Sequence, residues 1–294
     1  LRRRTEVRHR GVGQVEGAVN MSQLTTLILC GRSARHVHVA NRLSAHSQVL
    51  AIVQENGSDL SLKKVQQWLK PRVLRQKVSR WLRDRKRYRG NPEARFFFGD
   101  QPVRLDREDL RIEVPHINDP KVVELANRLK PDLILVFGTS LIRGPLLEAG
   151  RLGMVNLHGG LSPEYRGADC TFWALYNREP DKVGCTLHFI NAGIDTGDLI
   201  AHICPPVTAQ DDELTLFWRG VKASAEVYCE LLDRLERGEK PGVKQAGKGR
   251  LYQVKQRQSR HEAELAQAMR AGLLDGIDLP LRVRWFFKDE QVPG

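Results

Sequence analysis

Gly153-Met154-Val155-Asn156-Leu157-His158-Gly159-Gly160-Leu161-Ser162-Pro163-Glu164-Tyr165-Arg166-Gly167 is the stretch on which the reading of this chain turns. A short apolar run leads into Asn156 and His158, and a loop dense in turn formers follows. That is the pattern of a buried strand delivering two polar side chains to its carboxyl end. Alternation along the strand puts Asn156 and His158 on one face and Leu157 on the other. An amide and an imidazole held side by side at a strand mouth can act on a carbonyl. The plainer reading is a core histidine beside a turn asparagine.

Downstream, Gly184-Cys185-Thr186-Leu187-His188-Phe189-Ile190 reads as a strand. Asn191 to Asp198 reads as a glycine-bearing loop with Asp195 between Gly193 and Gly197, and Leu199 to Ile203 as the next strand. An aspartate in such a loop usually bonds its own backbone. Upstream, the buried run Leu24 to Cys30, a helix over Ala34 to Leu43 behind Ser33, and the run Val49 to Val53 form a strand–helix–strand unit. Pro131-Asp132 opens another buried strand, Leu133 to Phe137. His116 to Pro120 turns into a helix over Lys121 to Leu129, with Asn118 or Asp119 as its cap. Thr171 to Asn177 reads as a helix with Phe172 and Trp173 in the core, and Leu214 to Arg237 as a long amphipathic helix behind an acidic start. Arg95 to Gly99 and Leu110 to Val114 read as further strands.

These residues resemble the folate-dependent formyltransferases, which include glycinamide-ribonucleotide, methionyl-tRNA and nucleotide-sugar formyltransferases. The match lies in Asn156-x-His158, Pro163 and Gly167 in the first loop, and in Gly184-x-Thr186-x-His188 and Asp195-x-Gly197 in the second. It extends from about Leu24 to about Cys229. The resemblance implies an α/β fold: a Rossmann-like, mixed but mainly parallel sheet flanked by helices. It implies 10-formyltetrahydrofolate as co-substrate, no metal, and Asn156, His158 and Asp195 as catalytic residues. Adding an amine to the formyl carbon makes an oxyanion and requires a proton to leave the nitrogen. Asn156 would donate to that oxygen, His158 would donate as imidazolium and then shuttle the proton, and Asp195 would favour the charged imidazole. The folate side would be lined by Phe137, Gly138, Thr139, Ser140 and Leu141, with Ile194 and Asp195.

One departure bears on the acceptor. The family loop usually continues from the histidine as Pro-Ser, whereas Gly159-Gly160 stands here. Two glycines are expected to open space for a bulkier amine, with Tyr165 and Arg166 meeting its ring and phosphate. The turn Gly31-Arg32-Ser33-Ala34-Arg35 lacks the glycine-rich cradle of the ribonucleotide enzymes, although Arg32 and Ser33 are placed to meet an anion. The expected acceptor is therefore a small primary amine, a nucleotide-linked amino sugar. A hydrolase releasing formate, a methionyl-tRNA formyltransferase-like enzyme and a non-enzymatic binder are the alternatives.

Of the net charge of +12, nearly all falls between Lys63 and Arg95, where thirteen Lys and Arg face only Asp84 and Glu93. From Pro71 onward Leu74, Val78, Trp81 and Leu82 make one apolar helical stripe. This basic helical insertion, 58–95, either packs its stripe on the domain or presents a surface to a polyanion or an anionic membrane. Residues 1–20 are expected to be a disordered basic arm ahead of a start at Met21, residues 21–240 the catalytic domain, and residues 241–294 a short C-terminal extension beginning at Pro241-Gly242. Within it Leu251 to Val254 reads as a short strand, Ser259 to Leu273 as a helix capped by Ser259, and Arg282 to Phe287 as a segment packing back. Five scattered cysteines without a Cys-x-x-Cys pair, and no long apolar run, fit a cytoplasmic protein with reduced thiols.

Overall fold

The structure, a computed structural model, describes residues 23–57, 74, 78, 81–85 and 87–288. The expected arm over residues 1–20 and the start of the insertion around Lys63 and Pro71 lie outside the described residues.

The first unit is β1 (Thr25–Cys30), α1 (Ala34–Ser44) and β2 (Gln48–Glu55). In β1, Ile28 and Cys30 face one core and Leu27 and Leu29 the other, as strand alternation requires. After β2 come α2 (Pro92–Phe98), β3 (Arg111–Val114), α3 (Pro120–Leu129), β4 (Leu133–Phe137) and β5 (Met154–His158). Five strands, β3-β2-β1-β4-β5, pair in parallel. After β6 (Tyr165–Gly167) and α4 (Cys170–Tyr176), β7 (Cys185–Phe189) and β8 (Leu199–Cys204) continue the sheet antiparallel from β5, and the short β9 (Val207–Thr208) pairs apart from it with β11 (Asp278–Leu279). β12 (Arg282–Trp285) closes that edge, antiparallel to β8. The fold is therefore the expected mixed, mainly parallel sheet between helices. α1, α2 and α5 (Glu213–Glu236) cover one face and α3 the other. No helix among the described residues is long and apolar enough to cross a membrane.

Helix starts follow their caps. Asp119 accepts from Lys121 N at 2.9 Å, ahead of α3. At α5 a reciprocal pair forms, with Asp212 accepting from Thr215 N and the Thr215 hydroxyl accepting from Asp212 N. The Arg95 to Gly99 strand expectation fails for the same reason: this run lies in α2. The Asn91 side chain accepts from Ala94 N and Pro92 takes the first turn, so start signals outweigh a phenylalanine run that has no period of two. Phe97 is buried, and Phe96 meets Trp218 at 5.5 Å.

The C-terminal segment is woven into the body. Besides β12, it supplies β10 (Arg250–Tyr252), which runs parallel to β6 (Tyr165–Gly167) directly after the loop that follows β5. Backbone bridges also join Val243 to Leu199 and Pro241 to Phe287. The break at Pro241-Gly242 thus leaves no separate body behind it. α6 (Ser259–Arg270) starts one residue after its cap, Gln258, whose backbone N–H is accepted by His261 Nδ1, so Ser259 is not the cap. The insertion stripe does not pack on the domain: Leu74, Val78, Trp81 and Leu82 are 47–56% exposed.

Candidate active site

β1 and β4 are neighbours whose chain continuations run to opposite sides of the sheet, and ligands in such folds bind outside the carboxyl ends near that point. A cleft of about 780 Å³ lies there. One wall is the turn after β4, Phe137 to Leu141, and another is the tip of β5 with Asn156 and His158. The turn is pinned from below: Glu55 accepts from Ser140 N, and Asn118 donates to Leu141 O and accepts from Arg143 N. Gly138 has φ 76, and a Cβ there would lie 2.1 Å from His36 Nε2. Ile194 and Asp195 line the same cleft, so every residue expected on the folate side lies along it.

Asn156, His158 and Asp195 converge. Asp195 sits at φ 50 in the β7–β8 loop, and its Oδ2 is 3.4 Å from His158 Nδ1. That oxygen also accepts from Gly167 N, so the carboxylate does not serve as a local turn former. A fourth member stands between them. His188 on β7, opposite Asn156 in the ladder, is 3.1 Å from Asn156 Nδ2 and 3.5 Å from Asp195 Oδ1. Its Nδ1 donates to Phe189 O, which leaves Nε2 in the neutral ring to accept from the Asn156 amide. The Asn156 nitrogen is thereby fixed and keeps a second N–H. The only sequence trace of His188 was its place in the Gly184-x-Thr186-x-His188 pattern.

The electrostatics differ from the expected imidazolium. Burial pushes the His158 pKa down, with Asp195 opposing and His188 and Arg166 adding to the fall. His158 Nε2 donates to Tyr165 O at 3.0 Å, so in the neutral ring Nδ1 is bare and faces the carboxylate. Burial alone would raise the pKa of Asp195, but His158, His188 and the Gly167 N–H hold it at about 2. The cluster is poised to take up a proton, not to begin with one. Cys170 Sγ lies 3.6 Å from His158 Nε2, its thiol pushed well up by burial.

The expected acceptor residues do other work. A Cβ on Gly159 would meet Phe217 at 2.8 Å, and one on Gly160 would meet Cys170 Cβ at 2.5 Å and Tyr165 O at 2.6 Å. Gly159 does line the cleft, beneath the Phe217 ring, whereas Gly160 is packed too tightly against Cys170 and the Tyr165 carbonyl to open any space. Tyr165 is fully buried, stacked on Tyr252, with its hydroxyl among Glu179, Asn177 and Arg250. The Arg166 guanidinium donates to the carbonyls of Ile194 and Lys248. Both therefore anchor loops instead of meeting a ring or a phosphate. The anion position at the start of α1 is also taken, since the buried Glu93 accepts from Arg35 N and pairs with the Arg35 guanidinium at 2.7 Å.

The far end of the cleft is built by segments outside the expected site. Leu251 to Val254 and Arg257 come from the tail, and Arg83 and Arg87 from the insertion. Arg257, with its side chain 3% exposed, pairs with Asp169, Glu213 and Glu262 and stacks on Phe172 at 3.9 Å. Arg87 pairs with Glu213 and Arg83 with Glu262. Among the described residues no group of three or more His, Cys, Asp or Glu is placed to hold a metal ion.

Residues 82–232 match the family described as formyl transferase. The chain belongs to that family. Two curated members show where the likeness lies. Identity to the methionyl-tRNA formyltransferase of Citrifermentans bemidjiense is 38% over 122 residues, 41% of this chain and 38% of that enzyme. For the Geobacter metallireducens enzyme it is 37% over 142 residues, 47% and 45% of the two chains. The matched part thus spans about two fifths of those relatives. In fold, the chain is similar to a sugar N-formyltransferase from a Shewanella species (TM-score 0.52, 14% identity, 83% of this chain and 87% of that one). It is also similar to a phosphoribosylglycinamide formyltransferase from Anaplasma phagocytophilum (TM-score 0.50, 16% identity, 79% and 98%).

Proposed function

We propose that this formyl transferase family member moves a formyl group from 10-formyltetrahydrofolate to the primary amine of a small acceptor. The observation that carries the reading is the Asn156–His188–Asp195–His158 constellation at the head of the cleft. The fixed Asn156 amide offers an N–H to oxygen charge that develops at the formyl carbon. The ionised Asp195 and bare His158 Nδ1 offer a destination for the proton lost by the amine. The turn Phe137–Leu141, with Leu141 and Ile194 apolar and exposed at its edge, suits a flat heteroaromatic ring.

For the acceptor we favour a nucleotide-linked amino sugar. With Tyr165 and Arg166 withdrawn, the support comes from the far end of the cleft. Leu251 and Val254 offer exposed apolar surface to a base, while the nearby Arg83 and Arg87 are already paired with Glu262 and Glu213, so a diphosphate there has to displace those carboxylates. The occupied α1 start argues against a phosphate held there. The local identity to methionyl-tRNA formyltransferases favours a second reading, in which the amine is that of a charged tRNA. One experiment separates them. The protein is incubated with the formyl-folate and either amino-sugar nucleotides or methionyl-tRNA, and products heavier by a formyl group are sought by mass spectrometry. A formylated sugar nucleotide is the expected product. Faster formylation of the tRNA overturns the acceptor assignment, and formate released at the same rate without any acceptor makes the protein a hydrolase.

A further inference from the structure

The Asp195 loop is fastened from outside by a side chain of the C-terminal segment. Within the loop, Asn191 Oδ1 accepts from Gly193 N and the Thr196 hydroxyl, which sets the tip but not its attitude to β5. Gly197 lies against the end of β7, where a Cβ would sit 1.7 Å from Phe189 O. The half-buried Gln245 then spends its amide nitrogen on this one loop: Nε2 donates to Asp195 O and to Gly197 O, each at 2.8 Å. The segment that carries Gln245 is itself tied down. Val243 and Leu199 exchange backbone bonds of 2.8 and 2.9 Å two residues before it, and Arg166 holds Lys248 O three residues after it. Arg166 grips Ile194 O with its other nitrogen at 3.3 Å, so the three carbonyls 194, 195 and 197 are all held by side chains from outside the loop. Asp195 needs such restraint because a non-glycine residue at φ 50 occupies a sparsely populated conformation.

We propose that Gln245 is a positioning residue of the active site, holding the Asp195 carboxylate against His158 through the backbone of the β7–β8 loop. It lies outside residues 82–232, so this part of the centre is supplied by the C-terminal segment. The inference rests on Asp195 and His158 acting as read above, and its test has an arm that does not depend on that activity. His158 is faced by Asp195, His188, Arg166 and the Cys170 thiol, and of these Asp195 is the one that raises its pKa. Gln245→Leu keeps the bulk and removes both N–H groups; Gln245→Asn keeps the amide but withdraws it by one methylene. In either variant the His158 imidazole, followed by NMR titration, is expected to titrate at lower pH than in the parent. The kcat is expected to fall by about tenfold to 10²-fold, as displacement of a reacting group by about 1 Å does, with KM for the formyl-folate within about twofold. A His158 titration that stays in place in a folded variant overturns the proposal, whatever happens to Tm. If the parent shows no formyl transfer at all, the proposed function falls while the titration still decides the role of Gln245.

Discussion

Asn156 and Asp195 sit at the two ends of one row of side chains with His188 between them, whose Nε2 accepts from the Asn156 amide at 3.1 Å and stands 3.5 Å from the Asp195 carboxylate. Truncating either end leaves the backbone in place and removes one function. For Asn156→Ala and Asp195→Ala, steady-state formyl transfer should fall by about 10²–10³, the usual cost of losing an oxyanion donor in the first case and a proton-transfer group in the second, while the circular dichroism spectrum is retained. Near-parental turnover in either variant would sink the assignment. At this scale the sequence was informative where spacing alone brings side chains together. Asn156 and His158 share a strand face, and Asp195 lies in a loop whose glycines announce it. It misled where the partner is distant. Tyr165 and Arg166 looked like exposed loop residues because nothing nearby reveals that β10, more than eighty residues on, pairs with them. Gly159-Gly160 was read as open space, but a missing side chain can equally signal that neighbouring atoms leave no room, which only the packing decides.

The elements open the cleft as well as framing it. β4 and β5 pair through Val136 and Asn156, and into this last rung α5 inserts the Tyr228 hydroxyl. It donates to Val155 O at 2.7 Å and accepts from Val136 N at 3.1 Å, with no exposed surface. The hydroxyl bridges the two strands just below Asn156. Tyr228→Phe should cost about 1–3 kcal/mol for each of the two buried backbone groups left without a partner, measured as a lower urea midpoint at unchanged slope. An unchanged midpoint would mean that the strands close on each other instead. Elements with strong local signals were legible within a residue or two, β4 and α3 among them. The Phe96–Phe98 run was not, because three aromatics in a row carry no periodicity and the deciding Asn91-Pro92 start lies before them.

Across the whole molecule, buried and half-buried histidines set the response to acid. His36 is driven well below its ordinary range by burial, with Arg35 adding to the effect, and His38, His158 and His202 are lowered with burial as the largest cause. A folded-state pKa below the unfolded value means that the unfolded chain takes up the proton first. Stability is then complete above the ordinary histidine value of about 6.5 and is lost as pH falls below it, each group costing up to about 1.4 kcal/mol per pH unit. Asp195 acts in a lower window: its contribution is complete above the ordinary carboxylate value and is lost only as pH falls toward about 2. Tm should therefore decline steadily between pH 7 and pH 5, before carboxylates matter; a flat or rising Tm over that interval would contradict the burial of these rings. The parallel pairing of β10 with β6 has a different kind of consequence. Main-chain hydrogen bonds are blind to side-chain identity, so the exposed Leu251 can be replaced while the strand still docks, with Tyr252 held by its stacking on Tyr165 and Trp173. Asn156 and His158 sit on the central sheet, and part of the cleft wall facing them is carried by a ribbon that docks through its main chain. The shape of the cleft is thus adjustable at Leu251 without touching β5.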